Sequence, residues 1–472
     1  MNAPAIDIAR LTEGLDPRAW STDEADIATH VRDWRGRYTG HTPLLFKPGS
    51  TQEVSRILAA CNAARIPVQP QGGLTGLVGG SAPFGEAVIS MKRMNAVREI
   101  DTANESATVE AGVVLETLQD RAKEAGKLFP LSLGAQGSAM IGGLLSTNAG
   151  GVHVLRYGMM RDLVLGLEVV LPDGRVLSGL SGLRKNNTGY DLKQLFIGAE
   201  GTLGVITAAT LKLFPRPAST AVALAVVDDP HGAVSLLDHL KNQTGGAVAA
   251  FELIQSFAME LVCRHVPGAR NPLAGNPAWM ALIELTSAEP DRASAMMETA
   301  LESAFARGLI SDAALAQSEA QAASFWHLRE SIPDGEKSHG RSAKHDVSVP
   351  VSRMADFMAE ATRDAEAMIE GSRVIAFGHV GDGNVHFNVA AREEGAGEEF
   401  VTKAAPATRH IYDLVDKYGG SISAEHGIGI LKQEELIARK PVEVEVMRAI
   451  KAALDPNHIM NPRVIFGAGG RT

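Results

Sequence analysis

The sequence predicts an α+β protein of more than one domain. Three observations carry this. Two long glycine-rich segments lie in the first third of the chain, short apolar runs of strand character surround them, and after about residue 218 helical and strand patterns alternate without such loops. A chain of 472 residues also exceeds what one hydrophobic core ordinarily organises. The boundaries expected are 1–217, 218–398 and 399–472, the last segment mostly helical.

In order along the chain, Thr51 to Arg65 sets Val54, Ile57, Leu58 and Cys61 at helical spacing, and Ile66-Pro67-Val68 then starts a strand. The glycine-rich segment Gln71 to Gly80 follows, and after it Ala87-Val88-Ile89-Ser90-Met91, an apolar run of strand length. The second glycine-rich block runs from Leu133 to Gly151. Strand-like segments at Val164 to Leu171 and Val176 to Leu177 flank the turn Pro172-Asp173-Gly174. Farther on, Pro290 to Arg307 has the period of a helix.

Composition narrows the function. Hydrophobic residues at 45% and charged residues at 21% describe a folded globular chain rather than a disordered one. A formal charge of −10 argues against nucleic acid, whose phosphates need a basic face. Cys61 and Cys263 are the only cysteines, too few for a disulfide framework or a thiolate metal cluster, which fits a reducing cytoplasm. The N-terminal stretch has no basic segment leading into an apolar run, and no window approaches the length of a membrane span, so neither export nor membrane spanning is expected.

The glycine-rich loops suit a phosphate-bearing cofactor. Gln71-Gly72-Gly73-Leu74-Thr75-Gly76-Leu77-Val78-Gly79-Gly80 presents backbone N–H groups with little side-chain obstruction. No Gly-Lys-Ser/Thr follows and the next element is a strand, so it is neither a Walker loop nor a Rossmann fingerprint. The second block, Gly134 to Gly143 and then Ser146-Thr147-Asn148-Ala149-Gly150-Gly151, adds hydroxyl and amide donors. Two such loops can hold opposite sides of one large cofactor; taken singly, each could equally be a set of tight turns.

A second constellation lies in His379-Val380-Gly381-Asp382-Gly383-Asn384-Val385-His386. Read as a two-residue hairpin turn, Asp382-Gly383 pairs residue 379 with 386, and directly opposed side chains share a face about 5 Å apart. Two imidazoles so placed could hold a zinc or another divalent ion, with Glu425 as third ligand, or could be a hydrogen-bonded surface pair. The period of two adds Asn388 to the same face, within reach of a substrate oxygen and opposite Phe377. His426 is the candidate general base, because an imidazole titrates near working pH; the alternative is a buried structural histidine. Glu425 and His426 could not both face one site in an extended strand, so Gly427 and Gly429 are expected to turn the chain.

The motifs QPQGGLTGLVGG, GSAMIGGLLSTNAGG and KNNTGYDLKQLFIGAEGTLGVIT, in this order, closely resemble the PCMH-type FAD domain of the vanillyl-alcohol oxidase-like flavoproteins. GHVGDGNVHFNV and SAEHGIGILK resemble the D-lactate and D-2-hydroxyglutarate dehydrogenases of that superfamily. The resemblance implies an FAD-binding domain over 1–217, an α+β substrate- and metal-binding domain with an antiparallel sheet over 218–398, and a helical segment over 399–472 that completes both sites. It implies FAD contacts at Pro70, Gln71, Gly72, Gly73, Thr75, Gly76, Leu77, Gly79, Gly80, Ser138, Ile141, Gly142, Gly143, Ser146, Thr147, Asn148, Gly151, Glu200, Gly201, Gly204, Ile206 and Asn461, mostly through the backbone.

Leu74 and Leu144 stand where relatives commonly carry asparagine. The first loop has no histidine or cysteine to attach a flavin, so a noncovalent FAD is implied, with His153 the nearest alternative anchor. Arg329 and Lys344 match positions that bind substrate carboxylates, whereas Pro333 departs from a threonine usual in the hydroxyglutarate enzymes. The activity implied is metal-assisted oxidation of a D-2-hydroxy acid to the 2-oxo acid: D-2-hydroxyglutarate first, D-lactate or D-malate next. The implied acceptor is an electron-transfer flavoprotein or a quinone, and the implied assembly a homodimer. An oxygen-using alcohol or sugar oxidase on the same scaffold is the rival enzyme class, and a noncatalytic flavin- or metal-binding module the rival outside enzymes.

Overall fold

The computed structural model describes residues 7–467, so the first six residues of the stretch read for export lie outside the described residues. The chain forms two compact units. One comprises the residues up to Gly150, Gly158–Pro215 and those from His426 onward; the other comprises Gly151–Tyr157 and Arg216–Glu425. The boundary expected at 217 therefore falls at Pro215, while the segment expected to begin at 399 is divided. Its helix over Ala405–Lys417 buries Ile411, Tyr412, Leu414 and Val415 in the core of the second unit, and that apolar stripe keeps the chain there until Glu425.

In the first unit, helix α1 (Thr51–Ala64) starts at Ser50, whose hydroxyl accepts the Glu53 N–H, and ends at Arg65 in the left-handed region. It buries Val54, Ile57, Leu58 and Cys61, the stripe expected from their spacing. Strand β1 (Val68–Gln71) runs parallel to β2 (Ala87–Ser90), and the first glycine-rich loop connects them. Next come β3 (Val97–Asp101), β4 (Ser106–Glu110), helix α2 (Ile141–Thr147) within the second glycine-rich block, β5 (Val164–Val170), β6 (Val176–Gly179) and β7 (Val205–Lys212). The five strands form an antiparallel sheet ordered β3-β4-β7-β5-β6. The turn at Pro172-Asp173-Gly174 closes β5 onto β6 with Gly174 at φ +88°, a conformation glycine adopts without strain. The end of the chain returns to this unit, where Met460 bridges Val68 and packs with Ile459 into its core.

The second unit is a seven-stranded antiparallel sheet with helices on both faces. In chain order its elements are β8 (Ser219–Val227), α3 (Pro230–Thr244), β9 (Val248–Gln255), α4 (Ser256–His265), β10 (Trp279–Ser287), α5 (Arg292–Ala306), β11 (Ala313–Leu315), α6 (Glu319–Glu330), α7 (Ile332–His339), β12 (Ser342–Ser348), α8 (Val351–Met368), β13 (Ser372–His379), β14 (Asn384–Ala391) and α9 (Ala405–Lys417). Strand order is β11-β8-β10-β9-β13-β14-β12. On one face Ala223, Phe251, Ile283, Val374 and Phe387 pack against α3, α5, α8 and α9. On the other, Leu224, Ile254, Leu282, Ile375 and Phe377 meet α4, α6 and α7. Because side chains alternate along each strand, both faces are apolar, and a charged residue on either must find a partner.

Cys61 is buried, Cys263 is exposed and both are free, in line with the expectation that no disulfide forms. No helix among the described residues is long and apolar enough to cross a membrane.

Candidate active site

The face of the second sheet that meets α6 and α7 carries the histidine pair. Strands β13 and β14 align Phe377 with His386 and Ile375 with Asn388. The expected pairing of 379 with 386, and of Phe377 with Asn388, is therefore corrected by two residues. The connection is the four-residue turn from Val380 to Gly383, closed by Asp382 Oδ1 accepting the Asn384 N–H at 3.0 Å. A two-residue shift preserves parity, so His379 and His386 remain on one face as diagonal neighbours, ring centroids 5.9 Å apart.

Neighbouring strands put a carboxylate behind each imidazole. Glu252 of β9 pairs with His379 in the sheet and contacts its Nδ1. Asp346 of β12 pairs with His386, its Oδ1 3.9 Å from that Nδ1. Each Nε2 turns toward Glu425, at 3.5 Å for His379 and 3.9 Å for His386. Glu425 lies in an irregular segment held by its own N–H to Asp346 Oδ2 at 3.0 Å. Gly427 and Gly429, at φ +79° and +55°, supply the turn expected after His426. The strand alternation that would separate Glu425 from His426 therefore does not apply; His426 follows directly, half-buried.

This donor set fits a metal ion. Metal-binding histidines commonly direct one nitrogen at the ion and the other at a carboxylate; here each Nε2 faces Glu425, Glu252 contacts His379 Nδ1, and Asp346 stands 3.9 Å behind His386 Nδ1. The buried carboxylates make this a site that favours positive charge. Burial disfavours the His379 cation, but the Glu252 carboxylate outweighs it and lifts the group to about 9, while burial raises Glu425 to about 7. Burial also opposes the Glu252 charge, yet Arg329 and His379 hold that carboxyl well below the usual range.

The expected substrate cations are engaged within the protein. Arg329 donates from Nε to Glu252 at 2.6 Å and stacks over Phe377. Lys344 pairs with Glu336 at 2.5 Å. Asn388 donates to Glu336 at 3.0 Å and accepts the His345 N–H, so the amide expected to hold a substrate oxygen is engaged at both ends. Glu252, Asp346 and Glu336 were not among the residues picked from sequence. The available signals were an acidic residue inside the apolar run VAAFELIQ and the period-two relation of Asp346 to Lys344.

In the first unit the two glycine-rich loops abut. A Cβ on Gly73 would come within 2.0 Å of the Ser138 carbonyl, and one on Gly142 within 2.8 Å of the Ala111 Cβ. At Gly76 and Gly143, by contrast, a Cβ would meet no described atom within 4 Å and φ is not in the left-handed region. Packing does not explain those two glycines; close approach by a bound group does, and the loops fit FAD on that ground. Glycines 79 and 201 have positive φ, Gly80 lies beside Glu200, and Gly204 packs against the Val170 carbonyl.

Polar side chains expected at FAD are largely turned inward. Gln71 bonds His30 and the Ser81 carbonyl, Asn148 Oδ1 accepts the Arg161 N–H, and Asn461 donates to the Glu200 carbonyl. Ser146 and Thr147 donate to carbonyls of their own helix. Leu74 has φ +58°, a region asparagine tolerates and leucine resists. Gly151 and His153 fall in the segment counted with the second unit, where His153 Nε2 lies 3.0 Å from Glu284.

Glu200 accepts N–H groups from Ile428 and Gly429 at 2.8 Å each. Burial overrides these bonds and raises its carboxyl from 4.5 to about 7. The folded protein thus keeps a proton that the unfolded chain has lost, so stability declines as pH rises from about 4.5 to about 7 and is level above. A difference of up to about 3 kcal/mol is expected across that window. Urea unfolding of wild type and Glu200→Gln at several pH values tests it: the slope should be weaker in the variant, and an equal slope in both would refute the assignment.

Comparison with known proteins divides the chain at the same point after Pro215 but does not separate the residues from His426 onward. An FAD binding domain profile matches residues 42–179 and the profile of the FAD linked oxidases, C-terminal domain, matches 216–465. D-2-hydroxyglutarate dehydrogenase, mitochondrial, of Arabidopsis thaliana is 38% identical over 459 residues, covering 97% of this chain and 80% of its own. A Schizosaccharomyces pombe protein provisionally named a mitochondrial D-lactate dehydrogenase is 38% identical over 466 residues, covering 96% and 86%. The solved structure of p-cresol methylhydroxylase with substrate bound superposes with TM-score 0.77 over 98% of this chain and 97% of its own at 17% identity, a likeness of fold.

Proposed function

The chain belongs to the FAD linked oxidases, and from that premise we propose that it is an FAD-dependent, metal-assisted D-2-hydroxy acid dehydrogenase, with D-2-hydroxyglutarate, oxidised to 2-oxoglutarate, as its first substrate. The observation that carries this reading is the pair of imidazoles whose Nε2 atoms face Glu425 while Glu252 and Asp346 stand behind them.

Bound FAD would accept the α-hydrogen with its electron pair, and a zinc or other divalent ion would act as a Lewis acid toward the substrate hydroxyl. His379, His386 and Glu425 would hold that ion. Glu252 contacts His379 Nδ1 and leaves its Nε2 directed at Glu425, and Asp346 stands behind His386. His426 is proposed to take the hydroxyl proton. Lys344, a third exposed at its side chain, and Arg329 are proposed to face the substrate carboxylates; Asn388, through Glu336, positions Lys344. Noncovalent FAD is supported by the absence of histidine and cysteine from the first loop. The acceptor is proposed to be an electron-transfer flavoprotein or a quinone, and the protein a cytoplasmic homodimer.

D-Lactate is the second reading. Arg329 and Lys344 are already paired with Glu252 and Glu336, which leaves less net positive charge for a dicarboxylate than the two cations alone suggest. Anaerobic titration of the purified flavoprotein with D- and L-isomers of 2-hydroxyglutarate, lactate and malate separates the readings. Bleaching of the flavin by D-2-hydroxyglutarate at the lowest concentration is the expected result, and D-lactate acting first would favour the second reading. Bleaching by an L-acid, or full activity after chelation, would defeat both.

A further inference from the structure

The second unit carries another set of metal-ligand side chains, away from the histidine pair of the active site. His265 ends α4, His339 ends α7, and Glu394 lies in the loop after β14. One ligand atom from each lies within 4.8 Å of the others. We propose that His265, His339 and Glu394 form a second divalent-metal site, of the zinc class, that ties α4 to α7.

His339 carries the argument furthest. It is 2% exposed, and its Nε2 lies 2.9 Å from the Ala391 carbonyl. A carbonyl only accepts, so Nε2 bears the hydrogen and Nδ1 presents a lone pair. That Nδ1 is buried and has no hydrogen-bond partner among the described residues. His265 Nε2 is likewise buried and unbonded, 3.6 Å from Glu394 Oε1. Two nitrogen atoms and a carboxylate thus converge, and the buried His339 Nδ1 lone pair has no hydrogen-bond donor among the described residues, which costs free energy unless a cation meets it.

The surroundings favour a cation. Both histidines sit at helix C-termini, where the backbone dipole is negative, and the Ala391 carbonyl plays the orienting role typical behind a metal-bound imidazole. The loop bearing Glu394 is pinned beside His339 by the Gly395 N–H to the His339 carbonyl at 2.8 Å. Phe257 packs edge-on to the His339 ring and sets its plane. The competing charge is Arg264, 3.1 Å from Glu394 and 54% exposed, which can release the carboxylate into solvent. Two imidazoles and one carboxylate select zinc, cobalt or nickel over magnesium or calcium, and leave a fourth position for water.

The test uses full-length protein stripped with chelator and titrated with Zn²⁺ against a chromophoric competitor, with Co²⁺ absorption as a second probe. Wild type should bind two equivalents. His265→Gln and Glu394→Gln, at partly exposed positions, should each weaken one equivalent at least tenfold, while turnover stays within about twofold and the other equivalent is retained. His379→Ala should lose the other equivalent instead, which separates failure of this site from failure of the active-site reading. Unchanged zinc affinity and stoichiometry in both His265→Gln and Glu394→Gln would overturn the proposal, as would a wild type that binds one equivalent, removed by His379→Ala.

Discussion

Replacing His379 with alanine is expected to lower turnover by about a thousandfold or more while leaving the flavin spectrum unchanged. A Lewis acid at a developing alkoxide supplies several kcal/mol, and each 1.36 kcal/mol is about tenfold in rate. The variant removes one of the two imidazoles whose Nε2 faces Glu425, and with it the ligand that Glu252 orients. The glycine-rich loops belong to the other unit, so the flavin should remain bound. Metal content, the visible spectrum and turnover with D-2-hydroxyglutarate, measured on one preparation, decide the matter. Turnover within a few-fold of wild type would remove the metal from the mechanism, and loss of flavin would mean the two sites are not separable.

Arg329→Met is expected to destabilise the protein by about 3–5 kcal/mol, because it leaves the Glu252 carboxylate in the core without its main counter-charge. For a unit of this size the midpoint of thermal unfolding should fall by roughly 10 °C. Methionine retains much of the apolar stem that packs on Phe377, so the loss reports charge rather than volume. The double variant Arg329→Met, Glu252→Gln should recover most of the stability, since neither charge is then buried. It should not recover activity, because a glutamine cannot support His379 as the carboxylate does. A single variant as stable as wild type, or a double variant no better than the single, would show that the ion pair does not carry this load.

Several elements were legible because their signals are local. The stripe of α1, the strand after the first loop and the hairpin at Gly174 each follow from spacing within a few residues. His379 and His386 were readable as neighbours for a related reason: strand parity survives a two-residue error in register, so the turn could be misjudged and the shared face still be correct. The division of the C-terminal segment was less accessible. Whether the stripe of α9 packs on one core or another is not written in its own periodicity.

The sequence by itself determined the two glycine-rich loops, the absence of a disulfide framework, the common face of the histidine pair and the flavin-domain motifs, since each depends on residue type and short spacing. Only the tertiary structure decided that Glu252 and Asp346 back the two imidazoles, that Arg329 and Lys344 arrive already paired, and that Asn388 bonds inward. The physical reason is burial. Removing a charge from water makes its partner obligatory, and Arg329 meets Glu252 across 77 residues of sequence, a distance over which no local periodicity selects the pair.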